Sequence, residues 1–507
     1  MKLIGLDVGT TGCKAVVFDE DGTEYSRGFR EYDIVTDENG KAEQDPDEVW
    51  RLCREALTSA VDSIERRIDI AAISISVQGD AIMAVDADGD ALCPAQLGMD
   101  YRPVEYAKLC AERLGDYELF CRTGMRPHAL NSFVKLLWLR DHYPDAYRRA
   151  AKIVTYADFI LAKLGAAFFI DLTMASRTMA FNLDTRTWDA GILSEFNVSE
   201  SLFSEVVPSG TPVGTLDPGL ARELGLSEEI VIVAGAHDQP AGGVGAGVVG
   251  DGTALVSTGT AEVLSAAFAE PALGRKMYSC YYPCYIHAIP GQFFTFALNH
   301  VGGLLLRWYR DNFGGVEIAE AQARGLDPYD VILSKLPPRP SRIMVLPHFN
   351  GSGTPWCDMD SLGAIVGLSL SSTRHEIVRA ILESQTYELK INLRELAASD
   401  VPITSLVASG GGARSTEWLR IKASVLNMPV RTLRTREAAS LGAAILAGFG
   451  IGLFPSIEDG INRLVHVDRV YEPDAEAVEA YAASFRSYEQ IYPTLKPLNT
   501  QLRKGDE

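Results

Sequence analysis

The sequence has too little positive charge to suit a polyanionic partner. Lys and Arg number 47 against 67 Asp and Glu, a net charge of −20. A chain this acidic is repelled by nucleic acid and by anionic membrane surfaces, so neither is expected as a partner. A small anionic substrate stays compatible, because one pocket can be locally positive. Cysteine is sparse and scattered, with eight residues at 13, 53, 93, 110, 121, 280, 284 and 357 and no C-x-x-C pair. Cys280 and Cys284 lack a second pair at metal-ligand spacing, which argues against a zinc site. Reduced thiols fit a cytoplasmic protein. No apolar run suffices for a bilayer. The greasiest stretch, Phe159 to Ile170, contains Lys163 and falls short of the roughly 20 residues needed. Strand-like sequence begins almost at Met1, so no secretory leader is expected. No G-x-x-x-x-G-K-[ST] occurs, which removes the P-loop.

What is present is a chain of 507 residues, 47% apolar and 22% charged. At about 150 residues per domain this predicts two to four domains, with a core that needs no disulfide. The opening, MKLIGLDVGTTGCKAVVFDEDG, reads as a strand over Leu3–Leu6, a Gly-Thr-Thr turn, and a second strand over Ala15–Phe18. A third strand follows around Tyr25–Ile34. Asp47–Ile64 has helical spacing, with Val49, Leu52, Cys53, Ala56, Leu57 and Ala60 on one face. Ile70–Val77 and Ile82–Asp86 read as strands. An antiparallel start followed by α/β alternation predicts a mixed sheet.

Near the middle, a strand at Ile230–Ala234 leads into GAHDQPAGGVGAGVVGDG. GTALVSTGTAEVLSAA then repeats the opening plan of strand, x-x-Gly-Thr, strand. The echo is one of plan, not identity. It predicts two similar domains meeting near residue 250, over 1–250 and 251–507. In the second half, Thr373–Ser399 reads as a long helix, with Thr373 and Glu376 at capping-box spacing. Leu406–Ser409 is a strand ending in Gly410–Gly412, followed by helices over Thr416–Leu426 and 437–450. The polar tail after Tyr492 is expected to fray.

The turns carry the chemistry. Gly9 permits close backbone approach, and Thr10 and Thr11 add donors suited to phosphate oxygens. Asp7 would repel bare phosphate but would hold Mg²⁺ directly or through water. An ordinary polar hairpin turn has the same composition. The second Gly-Thr turn, Ser257–Thr260, shifts the balance, since two facing turns can grip a triphosphate. Gly410–Gly412 opens room for a flat or phosphorylated ligand, or is a tight connection. Asp238 reads as a helix cap or as a base for a substrate hydroxyl. His237 reads better as a packed, satisfied histidine than as a ligand or relay. Gly245, Gly247 and Gly250 satisfy G-x-G-x-x-G, but they run through an expected helix instead of following a strand. A nicotinamide-dependent oxidoreductase is therefore the lesser alternative.

These residues resemble the FGGY family of carbohydrate kinases. Asp7–Lys14 is similar to that family's first phosphate loop. Glu43-Gln44-Asp45-Pro46 with Trp50 resembles the stretch before its first helix. Ser76–Gly79 and Asp100-Tyr101-Arg102 resemble its sugar-contacting segments, Asp171–Thr178 its T-D-x-S-x-A-S-x-T region, and Gly235–Asp238 its base segment. The most specific match is GAIVGLSLSSTRHEIVRAILE at 363–383, similar to the C-terminal signature. Gly410–Gly412 resembles the adenosine-binding turn, and Glu437–Ala447 the adjoining helix. The matches run from about residue 3 to 450. Two departures concern the substrate. Gly79-Asp80 stands where xylulose kinases show Met-His, and His-Asp-Gln stands where glycerol kinases carry Gly-Asp-Gln-Gln.

The resemblance implies two actin-like (ribonuclease H-like) α/β domains, with mixed sheets flanked by helices, around a central cleft. It implies transfer of the γ-phosphoryl of Mg-ATP to a terminal hydroxyl of a small ketose or polyol, in a family that spans glycerol, erythritol, pentuloses, deoxyhexuloses and gluconate. On this reading Thr10, Thr11, Gly259 and Thr260 cradle phosphates and Asp7 anchors Mg²⁺. Asp238 binds and deprotonates the acceptor, while Gln78, Asp100 and Arg102 bind sugar hydroxyls. Gly411 and Gly412 face adenosine. Lys14 neutralises phosphate or only covers the strand surface. A homodimer is compatible with the sequence. An actin-like ATPase without a sugar acceptor is the other alternative, separated by whether an acceptor stimulates ADP release.

Overall fold

In a computed structural model of the protein, residues 1–64 and 67–504 are described. The apolar runs at the start of the chain pair as expected. β1 (Lys2–Val8) and β2 (Gly12–Asp19) are antiparallel, with Asp7 opposite Lys14, and β3 (Glu24–Glu31) extends the meander. α1 (Pro46–Asp62) begins at Asp45, whose carboxylate accepts the N–H groups of Asp47 and Glu48. Its apolar stripe packs on β2 and β3. β4 (Ile70–Val77), buried except at Ala71, returns parallel to β1, as a strand covered on both faces should. β5 (Pro212–Thr215) and β6 (Val231–His237) complete a six-stranded sheet ordered β5-β6-β4-β1-β2-β3.

α2 (Asp238–Ala246) leaves β6 directly and ends at Gly247 in the left-handed conformation. β7 (Gly252–Thr258) and β8 (Glu262–Phe268) then form a second opening hairpin. With β9 (Tyr285–Ile286), β10 (Phe293–Asn299), β11 (Ile403–Ser409), β12 (Val430–Leu433) and β13 (Val467–Tyr471) they build a seven-stranded sheet ordered β9-β10-β8-β7-β11-β12-β13. The two sheets share a core plan. β1 is antiparallel to β2 and parallel to β4, and β7 is antiparallel to β8 and parallel to β11. The internal echo in the sequence is thus a duplicated sheet topology.

α3 (Arg374–Ala397) carries the capping box between Thr373 and Glu376, and α4 (Thr416–Leu426) has the expected bounds. α5 (Ala438–Gly450) leaves its own sheet. It packs on β1, β4 and β6 of the first sheet and against α2. Small residues permit this approach. A Cβ at Gly245 would lie 1.8 Å from the Ala438 carbonyl oxygen, and one at Gly442 1.8 Å from that of Ala241. The α2–α5 pair therefore joins the two lobes. The tail departs from expectation, because α6 (Ile491–Lys504) is helical instead of frayed. Tyr492 anchors it, donating to Asp358 Oδ2 at 2.7 Å and packing against Trp356. No helix among the described residues is long and apolar enough to cross a membrane, and all eight cysteines are free.

Candidate active site

Three adjacent parallel strands of the first sheet end side by side. Asp7 pairs in register with Ser76, and Val77 with both Val8 and His237. Asp7, Gln78 and Asp238 therefore emerge together at the carboxyl edge of β1, β4 and β6, where α/β sheets place their ligands. Asp7 is half-buried and accepts a hydrogen bond from Ser76 Oγ at 2.7 Å. Burial raises its pKa, while Ser76 and Lys14 act in the opposite direction. Lys14 is itself ion-paired with Glu437, at the start of α5, and Arg27 also reaches that carboxylate. Beyond Asp7, Gly9 N–H donates to Gly12 O at 3.0 Å and closes the turn. Gln44 Nε2 donates to Thr10 O at 2.6 Å, and Gln78 Nε2 donates to Gln44 Oε1 at 3.0 Å. Among the described residues, the N–H and hydroxyl donors of Thr10 and Thr11 make no hydrogen bond to protein.

Asp238 opens α2 with a third of its side chain exposed. Desolvation, helped by the charge of Asp7, pushes its pKa up to about 7 even though Arg177 and Gln239 act in the opposite direction. That value suits a base working near neutrality. His237 Nε2 lies 3.1 Å from Asp238 Oδ1. Next to them Arg177 and Asp80 form a buried ion pair at 2.5 Å. Arg177 also sits over the rings of Tyr285 and Phe296. Asp80 has φ 67°, a left-handed conformation uncommon outside glycine and a form of strain that clusters at functional sites.

The second lobe supplies a cavity of about 440 Å³, within the range of small-molecule sites. Thr258, Gly259 and Thr260 line one wall and Gly411, Gly412 and Arg414 another. Gly410 takes φ 76°, and a Cβ at Gly412 would fall 2.6 Å from Thr258 Cβ, so this loop can lie against the hairpin only without side chains. The N–H groups of Gly302 and Gly303 hold the carbonyls of Thr260 and Gly259. Beneath the hairpin, buried Lys422 and Glu262 pair, and Thr258 Oγ1 donates to Glu262 at 2.7 Å. The lobes meet where Ser265 of β8 donates to Gln239 Oε1 at 2.9 Å. Ser265 is three residues from the hairpin turn, so the turn lies about 10 Å along the strand from that contact. A larger groove of about 800 Å³ between Pro337–Pro340 and Tyr481 contains no phosphate-loop residue.

Asp100 and Arg102 follow Gly98, which packs against Gly79 and Asp80. Asp100 is fully buried, accepts Ala42 N–H and pairs with Arg102, which also holds Glu43 and stacks on Trp138. They brace the 42–44 strand, whose Gln44 contacts the phosphate turn. Sequence reasoning missed Arg177 and Asp80, 97 positions apart, and the cavity residues Arg307, Asp327, Tyr329 and Trp418. The Gly79-Asp80 departure and the Asp171–Thr178 segment, which holds Arg177, were the signals pointing toward the first pair. Gly245, Gly247 and Gly250 run from α2 through its cap into a turn before β7, so no dinucleotide-type strand–loop–helix unit exists there.

Among the described residues, no cluster of three His, Cys, Asp or Glu side chains could cage a metal. Asp7 nevertheless fits Mg²⁺. It is a carboxylate in a desolvated site whose nearest cation is already paired, and Mg²⁺ is usually held by one or two carboxylates plus phosphates and water.

The same pattern of lobes and turns recurs in known proteins. Residues 2–245 match the model of the N-terminal domain of the FGGY family of carbohydrate kinases, and residues 254–451 match that of its C-terminal domain. The xylulose kinase of Bacillus subtilis (strain 168) is 26% identical over 99% of this chain and 98% of its own length. The autoinducer-2 kinase of Enterobacter sp. (strain 638) is 30% identical over 97% and 94%. The crystal structure of the xylulose kinase from Rhodospirillum rubrum has a TM-score of 0.88 at 25% identity, covering 99% of this chain and 100% of that one. With both family domains matched in order across a duplicated two-lobed fold, the chain belongs to the FGGY family of carbohydrate kinases, ATP- and Mg²⁺-dependent phosphotransferases that act on a sugar or polyol hydroxyl.

Proposed function

We propose that Asp238 is the general base that takes the proton of a terminal hydroxyl on a small ketose or polyol, activating it toward the γ-phosphoryl of ATP. The observation that carries this reading is a carboxylate at the end of β6, open to the cleft and held near pKa 7 by burial and by Asp7. The first lobe, residues 1–250, then takes the sugar and the second, residues 251–507, the nucleotide. Thr10, Thr11, Gly259 and Thr260 donate to phosphate oxygens, and Gly411 and Gly412 face adenosine. Asp7 holds Mg²⁺, whose charge offsets that of the phosphates. Phosphoryl transfer asks the protein mainly for placement and charge neutralisation. Lys14 shares its charge between Glu437 and the phosphate turn. Gln78 orders that turn through Gln44 as well as flanking the acceptor. Asp100 and Arg102 serve the sugar site as braces. Closure about the α2–α5 pair excludes water, which would otherwise compete as acceptor.

The two relatives are named for different acceptors, xylulose and autoinducer-2, so the acceptor here is decided by assay. Coupled ADP release across polyols, ketoses and aldonates, with Asp238→Asn as control, should show stimulation by one class that the variant loses. ADP release indifferent to every acceptor would favour an ATPase without a sugar substrate.

A further inference from the structure

His237 has no assigned part in the reaction, yet its geometry is specific. Its backbone N–H donates to Thr173 Oγ1 at 2.7 Å, and Thr173 Oγ1 donates to Asp171 Oδ1 at 2.5 Å, which fixes the main chain just before Asp238. On one side of the ring, Nε2 faces Asp238 Oδ1 at 3.1 Å. On the other, Nδ1 lies 3.5 Å from the hydroxyl of Tyr285, a fully buried residue whose ring meets the imidazole edge-on at 5.8 Å. Gly79 adds an independent observation. A Cβ there would stand 2.4 Å from His237 Nε2 and 2.7 Å from Cδ2, closer than atoms can pack.

Resting on the reading of Asp238 as base, we propose that His237 is a positioning residue, held by Tyr285 and packed through Nε2 against the Asp238 carboxylate, and that position 79 is glycine to make room for it. A neutral imidazole has one donor and one acceptor nitrogen. Tyr285 Oη–H donates to Nδ1, which leaves the proton on Nε2, in contact with Asp238 Oδ1 on the side facing His237. Oδ2 then remains as the lone-pair oxygen for the acceptor hydroxyl. The ring does not take that proton itself, since burial and the neighbouring Arg177 hold its pKa well below the usual histidine value. Arg177, Asp80, Tyr285 and Asp238 are the titratable groups around it. Asp80 is paired with Arg177, so the ring is left to Asp238.

The test is steady-state kinetics on the full chain with Mg-ATP and the best acceptor from the panel. His237→Ala is expected to lower kcat about a hundredfold, the effect of letting a reacting group drift by about 1 Å, with KM for Mg-ATP within about twofold of wild type. His237→Gln, whose amide can donate to the same carboxylate oxygen, should recover most of the loss. Gly79→Ala should reproduce the His237→Ala defect but add nothing in a His237→Ala background. His237→Ala should likewise add nothing to Asp238→Asn, the non-additivity expected of groups acting as one unit. Full turnover in folded His237→Ala beside an inactive Asp238→Asn overturns the positioning role while leaving the base in place. Full turnover in Asp238→Asn overturns both. If His237→Ala does not fold, His237→Gln and Tyr285→Phe decide. A Gln variant as slow as Asp238→Asn, or a Phe variant at wild-type rate, rejects the proposal.

Discussion

Asp238→Asn separates catalysis from stability in a way the structure quantifies. Asn keeps the shape of the side chain and removes its ability to accept a proton. Loss of a general base lowers turnover by about a hundred- to ten-thousand-fold, or roughly 3–5 kcal/mol at 1.36 kcal/mol per decade. Stability should move the other way. The carboxyl is raised from an ordinary 3.8 to about 7. Between these values the folded state holds a proton that the unfolded chain has released, so wild-type stability falls as pH climbs from about 4 to about 7 and is level above. Three decades correspond to about 4 kcal/mol. A third of the side chain is exposed, and solvent screening reduces this to roughly 2 kcal/mol. Asn has no such dependence. The variant should therefore be nearly inactive in the ADP-release assay, yet more resistant to urea than wild type at pH 8 and no more resistant at pH 4. Turnover within about tenfold of wild type, or a stability difference that does not change with pH, would refute the reasoning.

Further outcomes follow from neighbouring contacts. Asp7→Ala should move the Mg²⁺ requirement upward by about tenfold or more, the equivalent of at least 1.4 kcal/mol of lost cation binding; superimposable Mg²⁺ titrations count against Asp7 as the anchor. Arg177→Ala leaves Asp80 buried without its partner and should cost about 3–5 kcal/mol in urea unfolding, with much of that recovered when Asp80→Asn is added. Gly442→Ala inserts a methyl 1.8 Å from the Ala241 carbonyl. It should destabilise the protein by about 1–3 kcal/mol and lower activity as the α2–α5 crossing widens; a fully stable, fully active variant would show that the crossing tolerates spreading.

The elements that could be read directly were those whose signal is local. The β1–turn–β2 hairpin follows from two apolar runs around Gly9–Thr11, and α3 from a capping box and a periodic face. Asp7 and Asp238 stood out because each ends an apolar strand beside a turn. Polarity alone misled at the tail. The expected fraying ignores Tyr492, whose ring packs against Trp356 and whose hydroxyl bonds Asp358, 134 positions away.

The amino-acid order alone determined the two mixed-sheet halves, the Gly-Thr turns that open each, and the carboxylates Asp7 and Asp238 at the strand ends, since strand pairing, turn chemistry and helix capping are decided within a few residues. Tertiary structure alone decided that Lys14 meets Glu437 across 423 positions, that Arg177 pairs with Asp80, that α5 crosses to the first sheet, and that Asp100 and Arg102 brace the 42–44 strand. Those pairings arise when the lobes pack and desolvate their charges, and no local pattern encodes which distant partner a buried charge will find.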